Sequence, residues 1–360
     1  MKHINTLLFA SLLFIFSSCK KDNKEEIIDA GLTNKEIQDK ILYDFSHIVA
    51  LAAYEDLENK MNSFYTSCVN FEGTQSSETL ETAREAWKEA RSTWEKSEAF
   101  LFGPVATNNI DPSTDTWPVD FNALDSLLGT SNAFTQTYIN SLGDELKGYH
   151  PSEYLLWGID GQKPAESFTP REKEYLIALA ADLQIKATTL RASWDPNVAN
   201  NYLTHVVNAG QPSSLYSTQR SAMEEIINAM AGICDEVANG KIAEPFTLAD
   251  PSLEESPFSQ NSLVDFKNNI QGVKNVYFGT FQTDGYGLHD FMSKNNLSLH
   301  NKIATEIENA LASFNGITVP FGQAIIQQPT QVQHVINQIN ILNETLEDDL
   351  LPFIQQTVAE

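Results

Sequence analysis

The sequence predicts an all-α protein. Apolar residues recur at three- and four-residue steps along most of the chain, which is the spacing of one face of a helix. Alternating patterns typical of strands are almost absent, and the segments between the helical patterns are rich in Gly, Pro, Asn and Asp. Of the 360 residues, 42% are hydrophobic and 20% are charged, an ordinary globular composition that excludes collagenous, disordered and polytopic membrane proteins.

The N-terminus predicts an export signal and a tether. A short basic start precedes the apolar run Leu7–Phe16, whose ten residues are too few to cross a hydrocarbon core of about 30 Å. A pair of serines then precedes Cys19, which is typical of a lipoprotein signal peptide over residues 1–18 with Cys19 as the lipidated first residue of the mature chain. The alternative is an ordinary secretory signal that happens to contain a cysteine. Residues 19–33 predict a flexible hydrophilic tether.

Helical patterns fill residues 34–165, which we predict to form an N-terminal bundle. The apolar stripe that starts at Lys35 is typical of a long amphipathic helix. A polar loop between Pro104 and Pro118 interrupts the helical patterns. The predicted helices are Lys35–Val69, Ser77–Phe102, Phe121–Leu128, Ala133–Lys147 and Pro151–Gly158.

A linker at Gly161–Thr169 predicts the start of a second bundle over residues 166–360. The irregular stretch Glu244–Asn261 carries three prolines and is too polar for a core element. The predicted helices on either side are Pro170–Trp194, Val198–Asn208, Leu215–Asn239, Ser262–Phe278, Gly287–Lys294, Ser298–Phe314 and Gln331–Thr357.

The charge and the cysteines exclude several function classes. The chain has 48 acidic and 23 basic residues and a net charge of −25, so its surface repels a phosphate backbone and we expect no nucleic-acid partner. No CxxC pattern occurs, which leaves a thiolate zinc site or thioredoxin-like chemistry without support. Export permits a disulfide between Cys68 and Cys234, whereas free buried cysteines are also common, and the sequence leaves both alternatives open.

The densest chemical signal is the segment Gly148–Gly158. His150 and Glu153 are three residues apart, so a helix places both on one face, and imidazole with carboxylate suits zinc or iron. The alternative is a helix start: Pro151 is favoured at the first helical position, which makes His150 the N-cap and Glu153 the third residue of a capping box. The spacing leaves both interpretations open.

A second constellation lies on the predicted helix Ser77–Phe102. Four charged residues share one narrow face, with two tryptophans beside it. These charged residues are Arg84, Arg91, Glu95 and Glu98, and the tryptophans are Trp87 and Trp94. Intrahelical ion pairs on a solvated surface explain such a face, and so does a partly buried polar cleft, because buried charges are normally paired.

These motifs together resemble the imelysin family, which includes imelysin-like peptidases and iron-regulated envelope proteins. The segment with His150 and Glu153 matches its GxHxxE signature. Residues 83–104 look like a second block of the family, the Trp-Pro-x-Asp segment at 117–120 like a third, and residues 254–261 like a fourth.

The resemblance implies two helical bundles packed side by side, with the GxHxxE site in the cleft between them. The residues that it implies as lining this cleft are Arg84, Arg91, Glu98, Trp117, Asp120, Ser256 and Ser259. On local grounds Asp120 is also a plain helix N-cap. We expect Glu98 to be buried within side-chain reach of His150 or Arg91. The chain departs from the family at Glu255, where a histidine is frequent.

Two functions follow from the resemblance. The first is a cell-envelope lipoprotein that binds a metal or ligand in iron or haem acquisition, with His150 and Glu153 holding a divalent ion, iron or zinc. The second is an envelope metallopeptidase in which the same residues hold the metal and a further carboxylate polarises water. The sequence lacks a complete catalytic motif such as HExxH, so we favour binding and leave enzymatic activity undecided. We expect attachment through lipid on Cys19 to the periplasmic face of the outer membrane or to the cell surface, beside iron or haem uptake components.

Overall fold

Helices succeed one another along residues 31–359, the part of the chain that the computed structural model describes. No strand occurs within this part, where Thr280 and Asp284 form an isolated β-bridge, so the all-α prediction is confirmed. The predicted signal peptide, the lipidation site Cys19 and most of the predicted tether lie outside the described residues.

Eighteen α-helical segments are described between residues 31 and 359. They are α1 Asn34–Asp44, α2 Ala52–Gly73, α3 Ser77–Ser97, α4 Pro104–Thr107, α5 Ile110–Asp115, α6 Phe121–Leu128, α7 Gln136–Asn140, α8 Tyr149–Trp157, α9 Pro170–Trp194, α10 Leu203–Val207, α11 Gln219–Asp235, α12 Ala243–Leu248, α13 Ser262–Phe278, α14 Leu288–Asn295, α15 Leu297–Ser313, α16 Phe321–Gln327, α17 Pro329–Thr345 and α18 Leu351–Thr357.

Three long helices continue through π-helical turns. The segment Phe45–Leu51 joins α1 to α2, so the predicted helix from Lys35 is one continuous rod with a local widening. The segment Glu236–Ile242 joins α11 to α12, and Leu346–Leu350 joins α17 to α18. Short 3₁₀ turns complete the helical structure at Glu98–Phe100, Asp144–Leu146, Ala165–Ser167, Pro251–Leu253 and Phe314–Gly316.

Side-chain caps explain where the long helices begin. Thr33 and Glu36 form a capping box at the start of α1, and each satisfies a backbone N–H of the other. Thr169 and Glu172 do the same at α9, where Pro170 occupies the first helical position. These local signals are readable in the sequence, and α9 has the bounds that the sequence predicts.

The irregular regions differ most from the prediction. The expected loop between Pro104 and Pro118 contains α4 and α5, and α12 extends to Leu248, inside the stretch predicted to be irregular from Glu244. The expected helix Ala133–Lys147 is reduced to the short α7 and a 3₁₀ turn. Helices this short have little stability of their own and form because they are packed, so local patterns do not predict them.

Helix α3 is central to the packing around the site. It lies against α2 on one side and against α8 and α13 on others. A Cβ on Gly272 of α13 would come within 3.0 Å of the carbonyl carbon of Lys96, so the close approach of α13 to α3 requires glycine there.

The described residues from Leu32 onward form one compact unit. Helix α9, which follows the predicted boundary at residue 165, packs on α2 in the N-terminal half. The division into bundles at 34–165 and 166–360 stays a prediction. Among the described helices, none combines the length with the apolar character that crossing a membrane requires.

Candidate functional site

A cluster of charged side chains is buried where α3, α5, α8 and α13 meet three connecting segments. We call these residues the charged cluster, and all but Asn269 are ionisable. Its members are Arg91 and Glu95 of α3, Glu98, Asp115 of α5, His150 and Glu153 of α8, Lys241, Glu255, and Asp265 and Asn269 of α13.

Helix α3 supplies the centre of the cluster. The side chains of Arg91 and Glu95 have 0% exposure, so at these positions the charged face is a buried polar wall and not a solvated surface. Trp94, on the adjacent face, donates its indole N–H to Asp115 Oδ2 at 2.7 Å. This part of the helix face is therefore buried, and the solvated-surface alternative does not hold for it.

Gly148 brings α8 against α5. Its φ is +84°, and a Cβ there would overlap the carbonyl oxygen of Thr114 and lie 2.5 Å from the carbonyl carbon. Only glycine combines this backbone conformation with so close an approach. The contact places Asp115, the next residue after Thr114, beside His150.

The helix-cap interpretation of His150 and Glu153 is wrong. Helix α8 starts at Tyr149 with Gly148 as its N-cap, so His150 lies inside the helix. Glu153 Oε1 accepts hydrogen bonds from the backbone N–H of Ser259 at 2.7 Å and from its hydroxyl at 2.6 Å. Tertiary contacts, and not the helix start, therefore use the carboxylate.

The two ring nitrogens of His150 face different carboxylates. Nε2 lies 2.9 Å from Asp115 Oδ1, and Nδ1 lies 3.6 Å from Glu153 Oε2. Both nitrogens are buried, and neither makes a well-directed hydrogen bond with a described residue. Burial alone would lower the pKa of His150, but these two carboxylates outweigh it and raise the pKa to about 9. The indole of Trp117 lies beside the ring, with centroids 5.2 Å apart.

Arg91 joins four carboxylates. Its Nη2 lies 2.7 Å from Glu95 Oε1 and 3.0 Å from Glu255 Oε1, its Nη1 contacts Asp115, and its Nε lies 3.7 Å from Asp265 Oδ2. Burial alone would raise the pKa of Asp115, but the Arg91 guanidinium and the neighbouring imidazole hold it well below its usual range. Asp115 therefore stays ionised in spite of its burial.

Lys241 is the second permanent cation of the cluster. Its Nζ lies 2.9 Å from both Glu98 Oε2 and Glu255 Oε1, and 3.7 Å from Glu95 Oε2. Glu98 also accepts a hydrogen bond from Asn269 Nδ2 at 2.8 Å. The expected burial of Glu98 is confirmed, but within 4 Å its ion-pair partner among the described residues is Lys241 rather than His150 or Arg91.

Negative charge is in excess inside the cluster. Six carboxylates face two permanent cations and one imidazole. Burial raises the pKa of Glu95 to about 8 and that of Asp265 to about 7, and it raises the pKa of Glu98 well above its usual value. A buried carboxylate has to be neutralised by a proton or by a cation. A cation that binds in this cluster can therefore replace protons on the carboxylates.

The cluster also has the donor atoms of a metal site. Asp115, His150 and Glu255 bring one ligand atom each to within 4.8 Å of one another, and this group combines an imidazole nitrogen with carboxylate oxygens. Both His150 nitrogens and Glu255 Oε2 are buried without a well-directed hydrogen bond from a described residue. A divalent metal such as iron or zinc takes this combination of imidazole nitrogen and carboxylate oxygen ligands.

The other implied cleft residues have different places. Arg84 donates from Nη2 to the carbonyl oxygens of Leu156 at 2.9 Å and Lys163 at 2.7 Å, so it binds the C-terminal end of α8 outside the cluster. Asp120 is exposed and caps α6 through the backbone N–H of Ala123 at 2.9 Å. The plain N-cap interpretation of Asp120 is confirmed.

The two serines from the stretch 254–261 support the cluster from one side. Ser256 donates its hydroxyl to Asp265 Oδ2 at 2.7 Å, while Ser259 holds Glu153. Both cysteines of the described part, Cys68 and Cys234, are free and buried, so the disulfide alternative is not formed.

Sequence reasoning did not assign half of the cluster to a site. The missed residues are Asp115, Lys241, Glu255, Asp265 and Asn269. Asp115 lies in a segment that reads as a loop. A weak signal existed for Lys241, which is the only basic residue between Arg220 and Lys267 in a very acidic chain.

Known proteins are similar to this chain over nearly its whole length. Iron-regulated protein A of Synechococcus elongatus is 28% identical over 353 residues, which cover 96% of this chain and 92% of that protein. A crystal structure presented as an iron-regulated protein A precursor from Parabacteroides distasonis superposes with a TM-score of 0.81 and 26% identity, covering 91% of this chain and 96% of that one.

A crystal structure of an imelysin-like protein from a Psychrobacter species superposes with a TM-score of 0.73 at 12% identity, covering 90% of this chain and 97% of that one, and so shows a common fold. The family model described as Peptidase_M75: Imelysin matches residues 50–348. Since this match spans most of the sequence and includes the segment that joins Gly148, His150 and Glu153, the chain belongs to the imelysin family.

Proposed function

We propose that this protein is a metal-binding module of the bacterial cell envelope with a role in iron acquisition. The observation that carries the proposal is the buried group Asp115, His150 and Glu255, which lies within a cluster that has more carboxylates than cations. The relatives named iron-regulated protein A support an iron-related role.

We assign the metal ligands from the orientation of the His150 ring. Nε2 faces Asp115, so this nitrogen joins Asp115 and Glu255 as a ligand. Nδ1 faces Glu153, a carboxylate that Ser259 holds in place. A ligating histidine commonly presents its other nitrogen to a carboxylate, which orients the ring. Glu153 is therefore a positioning residue in this proposal, and not the ligand that the sequence predicts.

The burial of the site favours binding over hydrolysis. The side chains of His150 and Glu153 have 0% exposure, and Phe258 packs over this region against Trp117 and Tyr154. An ion can enter through small fluctuations, whereas a peptide needs the covering segment to move away. The metallopeptidase alternative thus requires an opening that metal binding does not.

We also propose that the protein is attached to a membrane of the cell envelope. A lipid on Cys19 would attach the protein to the periplasmic face of the outer membrane or to the cell surface. There the site would take up ferrous iron or another divalent ion and pass it to iron or haem uptake components.

Metal analysis of the purified protein tests the proposal. After anaerobic incubation with ferrous iron, or with zinc in a parallel sample, and removal of free metal, we expect about one tightly bound ion per chain. We expect His150→Ala and Glu255→Gln to weaken binding by more than about tenfold, and Glu153→Gln to weaken it about 10–100-fold.

Glu254→Gln is the matched control. Glu254 is adjacent to Glu255 and similarly buried, but its carboxylate accepts a hydrogen bond from Ser262 at 2.9 Å and is not part of the ligand group. This variant should retain the bound ion. A wild-type protein that binds no ion, or a Glu255→Gln variant that binds as well as Glu254→Gln, would exclude the proposed site.

A further inference from the structure

We propose that Lys241 sets the ion capacity of the charged cluster, because its ammonium occupies a carboxylate cage that would otherwise take a second divalent cation. This inference rests on the proposed function in that it assigns the capacity of the same cluster. The cage consists of Glu95, Glu98 and Glu255, and it adjoins the group with His150 because Glu255 belongs to both.

The ammonium is surrounded in the way that a coordinated cation is. Two carboxylate oxygens lie at 2.9 Å from Nζ and a third lies at 3.7 Å. A fourth, from Glu236, lies at 3.8 Å. One lysine needs one carboxylate to balance its charge, so this lysine has more acidic neighbours than an ion pair requires.

A second observation indicates a ligand site in the same place. Glu255 Oε1 contacts Lys241 and Arg91, while its Oε2 is buried without a hydrogen bond from a described residue. The Oδ1 atom of Asn269 is buried and unpartnered as well, and the amide nitrogen of this side chain bonds to both Glu95 and Glu98. Asn269 Oδ1 therefore offers a further oxygen beside the cage, and Glu255, which also belongs to the group with His150, would be shared by the two ions.

The two sites differ in their chemistry. The group with His150 offers a nitrogen, which suits iron or zinc, whereas the cage around Lys241 offers oxygen atoms only. Oxygen-only sites suit Mn²⁺, Mg²⁺ and Ca²⁺. By occupying the cage, Lys241 keeps these abundant ions from binding next to the nitrogen-containing site.

The cage is reachable from solvent. The Lys241 side chain is 12% exposed, and that of Glu236 beside it is 53% exposed. An ion can therefore enter along the side of the cluster where Glu236 lies. The deeper members, Arg91 and Glu95, have 0% exposure.

Counting bound Mn²⁺ in Lys241→Met tests the inference. Methionine retains most of the aliphatic stem but carries no charge. With excess Mn²⁺ under one fixed condition, we expect the variant to bind about one more Mn²⁺ per chain than the wild type, measured by elemental analysis and by loss of the free-ion electron paramagnetic resonance signal. The difference between the two proteins tests the role of Lys241, whereas the iron or zinc count of the wild type tests the proposed function.

Lys186→Met is the matched control. Lys186 is also an internal lysine, 15% exposed, and it pairs with the buried Asp182 at 2.6 Å, its one acidic partner within 4 Å among the described residues. Removing it leaves one carboxylate and no cage, so this variant should bind no additional Mn²⁺. An unchanged Mn²⁺ count in Lys241→Met, or an equal gain in Lys186→Met, would overturn the inference.

If Lys241→Met does not fold in metal-free buffer, the variant still tests the role of Lys241. We then expect Mn²⁺ to restore the helical circular dichroism signal of Lys241→Met but not that of an equally destabilised Lys186→Met. Failure of Mn²⁺ to restore the fold of Lys241→Met would show that the cage does not accept an ion in place of the ammonium.

Discussion

Replacing Gly148 by alanine should destabilise the protein strongly, because this glycine has two roles at once. Its φ of +84° is unfavourable for any residue with a Cβ, and a Cβ would lie 2.5 Å from the carbonyl carbon of Thr114. To restore an ordinary contact, α8 and α5 must move apart by about 1 Å.

The expected magnitude follows from these two effects. A backbone at φ +84° and ψ −150° lies in a region that essentially only glycine occupies and costs an L-residue about 1–3 kcal/mol, and overpacking a well-packed region costs about 1–3 kcal/mol more. Gly148→Ala should therefore lose about 2–6 kcal/mol of unfolding free energy. The same displacement would separate His150 from Asp115, so we also expect weaker binding of iron or zinc.

Urea denaturation followed by circular dichroism measures this loss, with the slope of the transition as a check on two-state behaviour. Gly232→Ala is the matched control, because Gly232 is an exposed residue inside α11 with no atom within 4 Å of its Cβ position. It should gain about 0.5–1 kcal/mol from the better helix propensity of alanine. A loss below about 1 kcal/mol in Gly148→Ala would refute the argument that this glycine fixes the α5–α8 contact.

Four further predictions can be checked independently. Arg91→Met should lose about 3–5 kcal/mol of unfolding free energy in the same urea assay, because it leaves several buried carboxylates without their cation. A loss below about 1 kcal/mol would mean that these carboxylates are neutral when Arg91 is absent. Glu98→Ala should lose only about 1.5–3 kcal/mol of unfolding free energy, because Lys241 keeps a second carboxylate partner, Glu255, at 2.9 Å. A loss as large as that of Arg91→Met would contradict this role of Glu255. Burial raises the pKa of the Cys68 and Cys234 thiols, so Ellman's reagent should label them only after unfolding, and rapid labelling of the native protein would contradict their burial. Cys19→Ala should release the protein from the membrane fraction, and unchanged fractionation and migration would disprove lipid attachment at this residue.

The elements predicted well are those whose signals are local. Helix α9 has a capping box, a proline at its first position and a long apolar stripe, and each of these can be read without knowing the fold. Helix α5 has none of them: its sequence is Ile-Asp-Pro-Ser-Thr-Asp, and it is helical because α8 and α9 pack against it. The position of Asp115 therefore depends on contacts more than thirty residues away in sequence.

The candidate site was predictable only in part for the same reason. The GxHxxE segment and the face of α3 identify His150, Arg91 and Glu98 because each belongs to a helical spacing pattern. Lys241 and Glu255 come from later segments and meet Arg91 only in the folded chain. A single sequence contains no information on which distant segments meet, so Glu98 was expected next to the wrong cation.

The direction in which the Lys241 side chain points depends on the number of residues in the π-helical segment Glu236–Ile242. Each residue of a regular helix advances the side-chain direction by about 100°, so a wider turn re-aims every residue that follows it. A one-residue deletion here would rotate Lys241 away from Glu98 and Glu255. A substitution of Gly240 is different, because this residue is only partly exposed but has open space around its Cβ position. Among homologous chains, this segment should therefore vary freely in the identity of its outer residues while its length stays fixed.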